Sequence, residues 1–200
     1  MRQEDKKELK IERKIASVLK QPSSAPKGAG PDDAAVLILI RRNDGKHLTL
    51  LEKRATSSSD PWSGQVAFPG GRFKTEDITL DATACREFFE ETRVNICQMV
   101  KIIGYLDPVS PGNHPEVKVV PFVAFIDREI FPSPTDEVQK FFWVPLEELI
   151  KSEFLLSSGE SAVKRTGYIY QGEIIWGMTQ RLIDQLMKFL FSDYEEEANS

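Results

Sequence analysis

Residues 70–94, GGRFKTEDITLDATACREFFEETRV, run from a glycine pair through a polar loop into a segment holding Glu87, Glu90 and Glu91. Set at 100° per residue, these glutamates fall within a ~100° arc of a helix expected from about Leu80 to Arg93. Like charges at i and i+4 repel by a few tenths of a kcal/mol. The stripe is therefore either an ordinary solvated face or a place built for something positive. Phe88 and Phe89 point elsewhere and, with Ala84 and Cys85, are expected to pack on a sheet. The glutamates alone favour the solvated face, but their upstream context reverses this. "FPGG" ends a strand and opens a loop, and consecutive glycines let the backbone turn tightly and approach a ligand or metal closely. Asp77 lies in that loop, and Arg86 directly precedes the first glutamate. Carboxylates are hard oxygen ligands suited to Mg²⁺ or Mn²⁺. Strand, glycine loop and acidic helix together make a construction for holding metal-bridged phosphates.

Outward from this stretch the chain reads as a mixed α/β domain. "AAVLILIRR" and "HLTLLEKR", separated by "NDGK", form a hairpin. "QVAFPGGRF" begins as a short strand and breaks at Pro69-Gly70-Gly71. "QMVKIIGYLDPV", "VKVVPFVAFID" and "QKFFWVPL" are further strands, and "PLEELI" begins a short helix. "GYIYQGEIIWG" is a hairpin, or a strand leading into a last helix from about Met178 to Phe191. Strands and helices interleave without a regular βαβ rhythm, which favours a mixed sheet between helices. The division is residues 1–30, an amphipathic helix over 3–20 and a Pro-, Gly- and Ser-rich linker; 31–192, the domain; and 193–200, an acidic, flexible tail.

The chain has 200 residues, with 26 Lys and Arg against 31 Asp and Glu, a net charge of -5. That balance argues against nucleic acid or an anionic membrane as partner. The charged N-terminus has no apolar core of a signal peptide, and no apolar run approaches the ~18 residues of a membrane span. A cytoplasmic protein is expected, with Cys85 and Cys97 as reduced thiols. The N-terminal helix is suited either to cover the domain or to pair with a second copy, so a homodimer is among the expected states.

Residues 70–94 resemble the Nudix box, G-x5-E-x7-R-E-U-x-E-E-x-G-U, where U is a bulky apolar residue. Gly71 matches the leading glycine and the segment from Arg86 to Glu91 matches R-E-U-x-E-E. Three departures stand out. Asp77 replaces a glutamate, the gap to Arg86 is one residue longer, and Arg93 occupies the later glycine position. Wider similarity, "LLEKRA", "SGQVAFPGG", "DEVQKFFWVPLEEL" and "EIIWGMTQRLIDQL", resembles the coenzyme A pyrophosphatase-like branch, although "DPWSG" stands where that branch usually carries a His-containing signature.

The resemblance implies an α/β/α sandwich and a pyrophosphohydrolase acting on a nucleoside diphosphate linked to another moiety, a coenzyme A-like molecule foremost. The rival readings are a house-cleaning (d)NTP, ADP-ribose or dinucleotide pyrophosphatase, and a non-catalytic nucleotide-sensing module. Glu87, Glu90, Glu91 and the Gly71 carbonyl are the implied ligands of Mg²⁺ or Mn²⁺. Arg86 is implied to orient the acids, Asp77 among them. The general base is a box glutamate, Glu90 or Glu91, or Glu137 on a distant loop, which otherwise is a capping acid. Arg54 or Lys53 would meet the diphosphate, or else is surface charge. Trp62 would stack on a base or shape the pocket, or else pins its loop.

Overall fold

β1 (Asp33–Asn43) is buried without interruption from Ala34 to Ile40, which marks a strand covered on both faces. Ala35, Leu37 and Leu39 share a core with Leu80, Ala84 and Phe88 of α1 (Leu80–Thr92). Val36, Ile38 and Ile40 share the opposite core with Leu182, Ile183 and Leu186 of α2 (Gly177–Ala198). Alternation of side chains along one strand thus builds the expected α/β/α sandwich. The computed structural model describes residues 19–27, 30, 32–57, 62–158 and 161–198, without side chains for 157, 158, 161 and 192–198.

β2 (Lys46–Arg54) returns from β1 through Asp44 and Gly45, whose φ angles of 49° and 78° give the two-residue turn expected of "NDGK". With β3 (Val66–Ala67), β4 (Gly70–Arg72), β5 (Ile102–Tyr105), β6 (Lys118–Ile126) and β7 (Val138–Pro145) these strands form one seven-stranded mixed sheet. The order is β3-β2-β1-β6-β5, with β4 on β1 and β7 on β2. Only β1 and β6 run parallel among these pairs. A second, three-stranded antiparallel sheet of β8 (Lys151–Ser158), β9 (Ser161–Tyr170) and β10 (Glu173–Trp176) precedes α2.

Several expectations change. β8 was not foreseen, because its alternation is carried by half-buried and exposed residues and not by core. "PLEELI" supplies only a 3-10 turn, Leu146–Glu148. Helix α2 runs to Ala198, through residues expected as tail. The expected N-terminal helix lies outside the described residues except for its last two, and Lys20 forms an antiparallel bridge to Tyr105 in place of a helical turn. Phe88 is fully buried, whereas Phe89 is 45% exposed and anchors nothing.

Helix α1 starts where the Thr79 side chain accepts from the Ala82 N–H, which satisfies one of the free donors of its first turn. It stops at Arg93, whose φ of 63° and ψ of 15° are left-handed and whose N–H donates to the Phe89 carbonyl. This reversal returns the chain so that Cys97 meets Cys85, and the two form a disulfide at a Cα separation of 5.8 Å. The cysteines are therefore bonded, against the expectation of free thiols.

Two measurements follow from this helix end. Arg93→Gly should stabilise the protein by about 1 kcal/mol in urea melts, since glycine adopts this conformation without a Cβ penalty. Reductant, or Cys97→Ser, should lower stability by ~3 kcal/mol, from the loop closure of a short disulfide.

Candidate active site

The two glycines of β4 are needed for different steric reasons. Gly70 has a φ of 156°, and a Cβ on it would stand 2.3 Å from the Ala35 carbonyl oxygen of β1. At Gly71 a Cβ would stand 2.5 Å from the carboxyl carbon of Glu87, so the bare backbone lets that side chain settle onto the strand. The Gly70 N–H donates to Glu91 Oε2 at 2.9 Å. The glycine strand and the acidic face of α1 are thus in direct contact.

Arg86 holds the loop to this face. Its Nε and Nη2 donate to Asp77 Oδ1 and Oδ2 at 2.7 and 2.9 Å, a bidentate pair. Nη1 donates to Glu87 at 2.7 Å and Glu90 at 2.9 Å, and Nη2 also reaches the Arg72 carbonyl at 3.0 Å. Asp77 further accepts from the Lys74 N–H and the Thr83 hydroxyl. The Arg86 guanidinium, helped by these donors, holds the Asp77 carboxyl down at about 2. A shorter acid in the box, reached across a longer gap, still meets its arginine.

A cleft of about 920 Å³ opens in front of β4. Glu87, Glu91, Gly71, Glu137, Arg54 and Trp62 all line it. Six of the expected site residues thus line one cleft. Glu90 is half-exposed and Arg86 is held behind the acids, so neither lines the cleft. The Lys53 ammonium pairs with Glu173 at 2.7 Å beside Lys140, and Lys53 is not among the residues that line the cleft. Strand alternation turns it to the face opposite Glu52. The Trp62 ring meets the His114 ring at a centroid distance of 5.3 Å.

Other lining residues carried no expected site role, although Trp176 and Arg181 lie within the segment "EIIWGMTQRLIDQL". Trp176 at the end of β10, Arg165 on β9 and Arg181 on α2 come from elements distant in sequence. Thr179 ties the first turn of α2 to β3 by donating to the Val66 carbonyl at 2.9 Å, which fixes this side of the cleft.

The overlooked acid is Glu52. It is fully buried in β2, between Ala67 of β3 and Phe141 of β7, on the same strand face as Leu50. Neither carboxylate oxygen has a hydrogen-bond partner among the described residues, and Arg54 Nη1 stands 3.8 Å from Oε1. Burial raises the carboxyl against the opposing pull of Arg54. Glu91 is raised by burial first and by the Glu52 charge second. Glu87 is also raised by burial, with Arg86 opposing. A glutamate at an inward position of "HLTLLEKR" was the sequence signal for Glu52, and strand phase alone would have exposed it.

The donor set suits a divalent cation. Hard oxygens converge from α1 and β2, two of them orphaned at Glu52, and the Glu87 carboxylate fills the place of a Cβ at Gly71. Among the described residues, however, no three acidic, histidine or cysteine side chains already enclose an ion position. No described helix is long and apolar enough to cross a membrane.

Residues 31–164 match the model of the NUDIX domain. An uncharacterized Nudix hydrolase NudL of Yersinia enterocolitica is 32% identical over 174 residues, 84% of this chain and 86% of that protein. The uncharacterized NudL of Photorhabdus laumondii is 37% identical over 162 residues, covering 76% and 82%. The crystal structure of the M. smegmatis Nudix hydrolase RenU superposes with a TM-score of 0.50 at 18% identity, over 65% of this chain and 80% of that one, a likeness of fold.

The Asp77–Arg86 pair predicts a pH dependence. The folded carboxyl at about 2 lies below its ordinary 3.8, so its stabilisation is present above pH ~4 and lost as pH falls toward 2. Asp77→Asn should cost about 1–2 kcal/mol at neutral pH, allowing for a guanidinium that is partly in solvent. In urea melts the gap between the two proteins should narrow steadily from pH 5 to pH 2.

Proposed function

Because this chain belongs to the NUDIX family and is a Nudix pyrophosphohydrolase, we propose that its substrate is a nucleoside diphosphate joined to another moiety, coenzyme A-like in chemistry, and that Mg²⁺ or Mn²⁺ serves the reaction. One observation carries this reading: a single cleft is lined by Glu87 and Glu91 together with arginines and tryptophans. The acids fit a cation shared with a diphosphate. Arg54 and Arg72 line the same cleft and would meet the diphosphate oxygens. Arg165 and Arg181, on other elements, fit a further phosphate on the nucleoside, a feature of coenzyme A that a plain dinucleotide lacks. Trp62 and Trp176 offer flat apolar faces to a base or an acyl-carrier arm.

The cation would be held by Glu87, Glu90, Glu91 and the Gly71 carbonyl. It would neutralise the diphosphate and polarise its P–O bonds. Arg86 acts behind these acids as a positioning residue, since its hydrogen bonds set the carboxylates of Glu87 and Glu90. Water attacks one phosphorus, the new P–O bond forms, and the bridging P–O bond breaks with its electron pair leaving on the second phosphate. Glu137, exposed at the cleft from the loop before β7, accepts the proton released by the water.

A hydrolysis panel of coenzyme A, ADP-ribose, NADH, diadenosine polyphosphates and dNTPs with Mg²⁺ or Mn²⁺ tests the reading. Coenzyme A should show the highest kcat/KM, and Arg165→Ala should lower it more for coenzyme A than for ADP-ribose. Glu90→Gln and Glu91→Gln should each lower turnover by orders of magnitude. A best substrate elsewhere in the panel would give the house-cleaning reading, and inactivity toward every diphosphate with either metal would give nucleotide sensing.

A further inference from the structure

We propose that Glu52, at the centre of the sheet, is an additional carboxylate ligand of the cation site, so that the ion is held between strand β2 and helix α1. The inference rests on the cation-dependent reading above. A box helix supplies oxygens from one side only. Mg²⁺ and Mn²⁺ take oxygens arranged around them on all sides.

Glu52 supplies the opposite side. The residue has no exposed surface, and both of its carboxylate oxygens are unpartnered. It lies on the face of β2 that α1 covers, as its neighbour Leu50 does, and its acidic neighbours are Glu91, Glu87 and Glu137. Glu91 already accepts one bond, on Oε2 from Gly70. Glu52 and Glu91 are within each other's reach: the Glu52 charge raises the Glu91 carboxyl, and Glu91 is a hydrogen-bonding neighbour of Glu52 once either is protonated. Arg54, at 3.8 Å from one oxygen, lies beyond hydrogen-bond distance.

A buried carboxylate without a hydrogen bond is costly, and two facing each other are more so. A proton shared by the pair would relieve the repulsion through one hydrogen bond and still leave a buried carboxylate oxygen without a donor. A divalent ion relieves both carboxylates together and uses the orphaned oxygens. Lys53, the next residue, does not serve the same purpose, being turned to the other face and paired with Glu173.

The test is Mn²⁺ binding to the whole protein without substrate, read by the electron paramagnetic resonance signal of free Mn²⁺. Glu52→Gln should weaken binding about tenfold or more, as loss of a direct ligand does. Its thermal melt in EDTA should equal or exceed that of the wild type, because the substitution removes a buried charge. The rise in melting temperature on adding Mn²⁺ should shrink in parallel. Should Glu52→Gln not fold, Glu52→Asp is judged by the same titration, since a shorter carboxylate cannot reach the same position. Mn²⁺ affinity within about twofold of wild type in the folded variant overturns the proposal. If Glu91→Gln loses Mn²⁺ while Glu52→Gln keeps it, only the role of Glu52 falls. If the wild type binds no Mn²⁺, the cation-dependent reading falls with it.

Discussion

The Arg86 guanidinium is the junction on which the site depends. Its bidentate pair with Asp77 closes the loop that follows the glycine strand, its bond to the Arg72 carbonyl reaches β4, and its remaining N–H groups aim Glu87 and Glu90. Loop, strand and helix are three separate pieces of backbone, and this one side chain bonds to all of them. A guanidinium can do this because its five donors lie in one plane and point outward in a fixed fork. The fork needs an acceptor that is itself rigid. Asp77 is rigid because the Lys74 amide and the Thr83 hydroxyl hold its carboxylate from the other side.

With the loop held, the electrostatics of the cleft become one-sided. Arg86 neutralises the outer acids, Glu87 and Glu90, and leaves the inner ones to each other. Glu91 has one backbone donor, Glu52 has none, and both carboxyls are pushed upward by burial. Stability and function pull apart at this point. A core residue in place of Glu52 would pack with Leu50 and Phe141 without penalty. The same substitution would remove the only carboxylate facing α1 from the interior of the sheet among the described residues. Functional sites are where local rules of burial are broken, and this is the one position in the described core where a glutamate has no hydrogen-bond partner.

Much of the fold was legible because its signals are local. "NDGK" makes its hairpin through the positive φ angles that Asp44 and Gly45 adopt readily. Thr79 caps α1 where the periodic pattern begins. The box reading found Glu87, Glu91, Gly71 and Arg86, since each is set by spacing along one helix or one turn. The second sheet was not legible: β8 alternates between half-buried and exposed residues, without the apolar run that marks a core strand. The disulfide was not legible either. Twelve residues separate its cysteines, and only the left-handed turn at Arg93 brings them together.

The sequence by itself determined that a glycine strand precedes an acidic helix, that an arginine stands ready to order the acids, and that the chain belongs with phosphate chemistry. These follow from contacts between near neighbours, where 3.6-residue and 2-residue periods place side chains without knowledge of the rest. Tertiary structure alone decided which charges serve the cleft. Lys53 and Arg54 are adjacent in sequence, yet strand alternation sends one to Glu173 and the other to the site. Arg165, Trp176 and Arg181 join from β9, β10 and α2 because Thr179 fastens the last helix to β3. Glu52 gains its meaning only when α1 is laid over β2, since an acid is costly or useful according to what faces it, and facing is a property of packing.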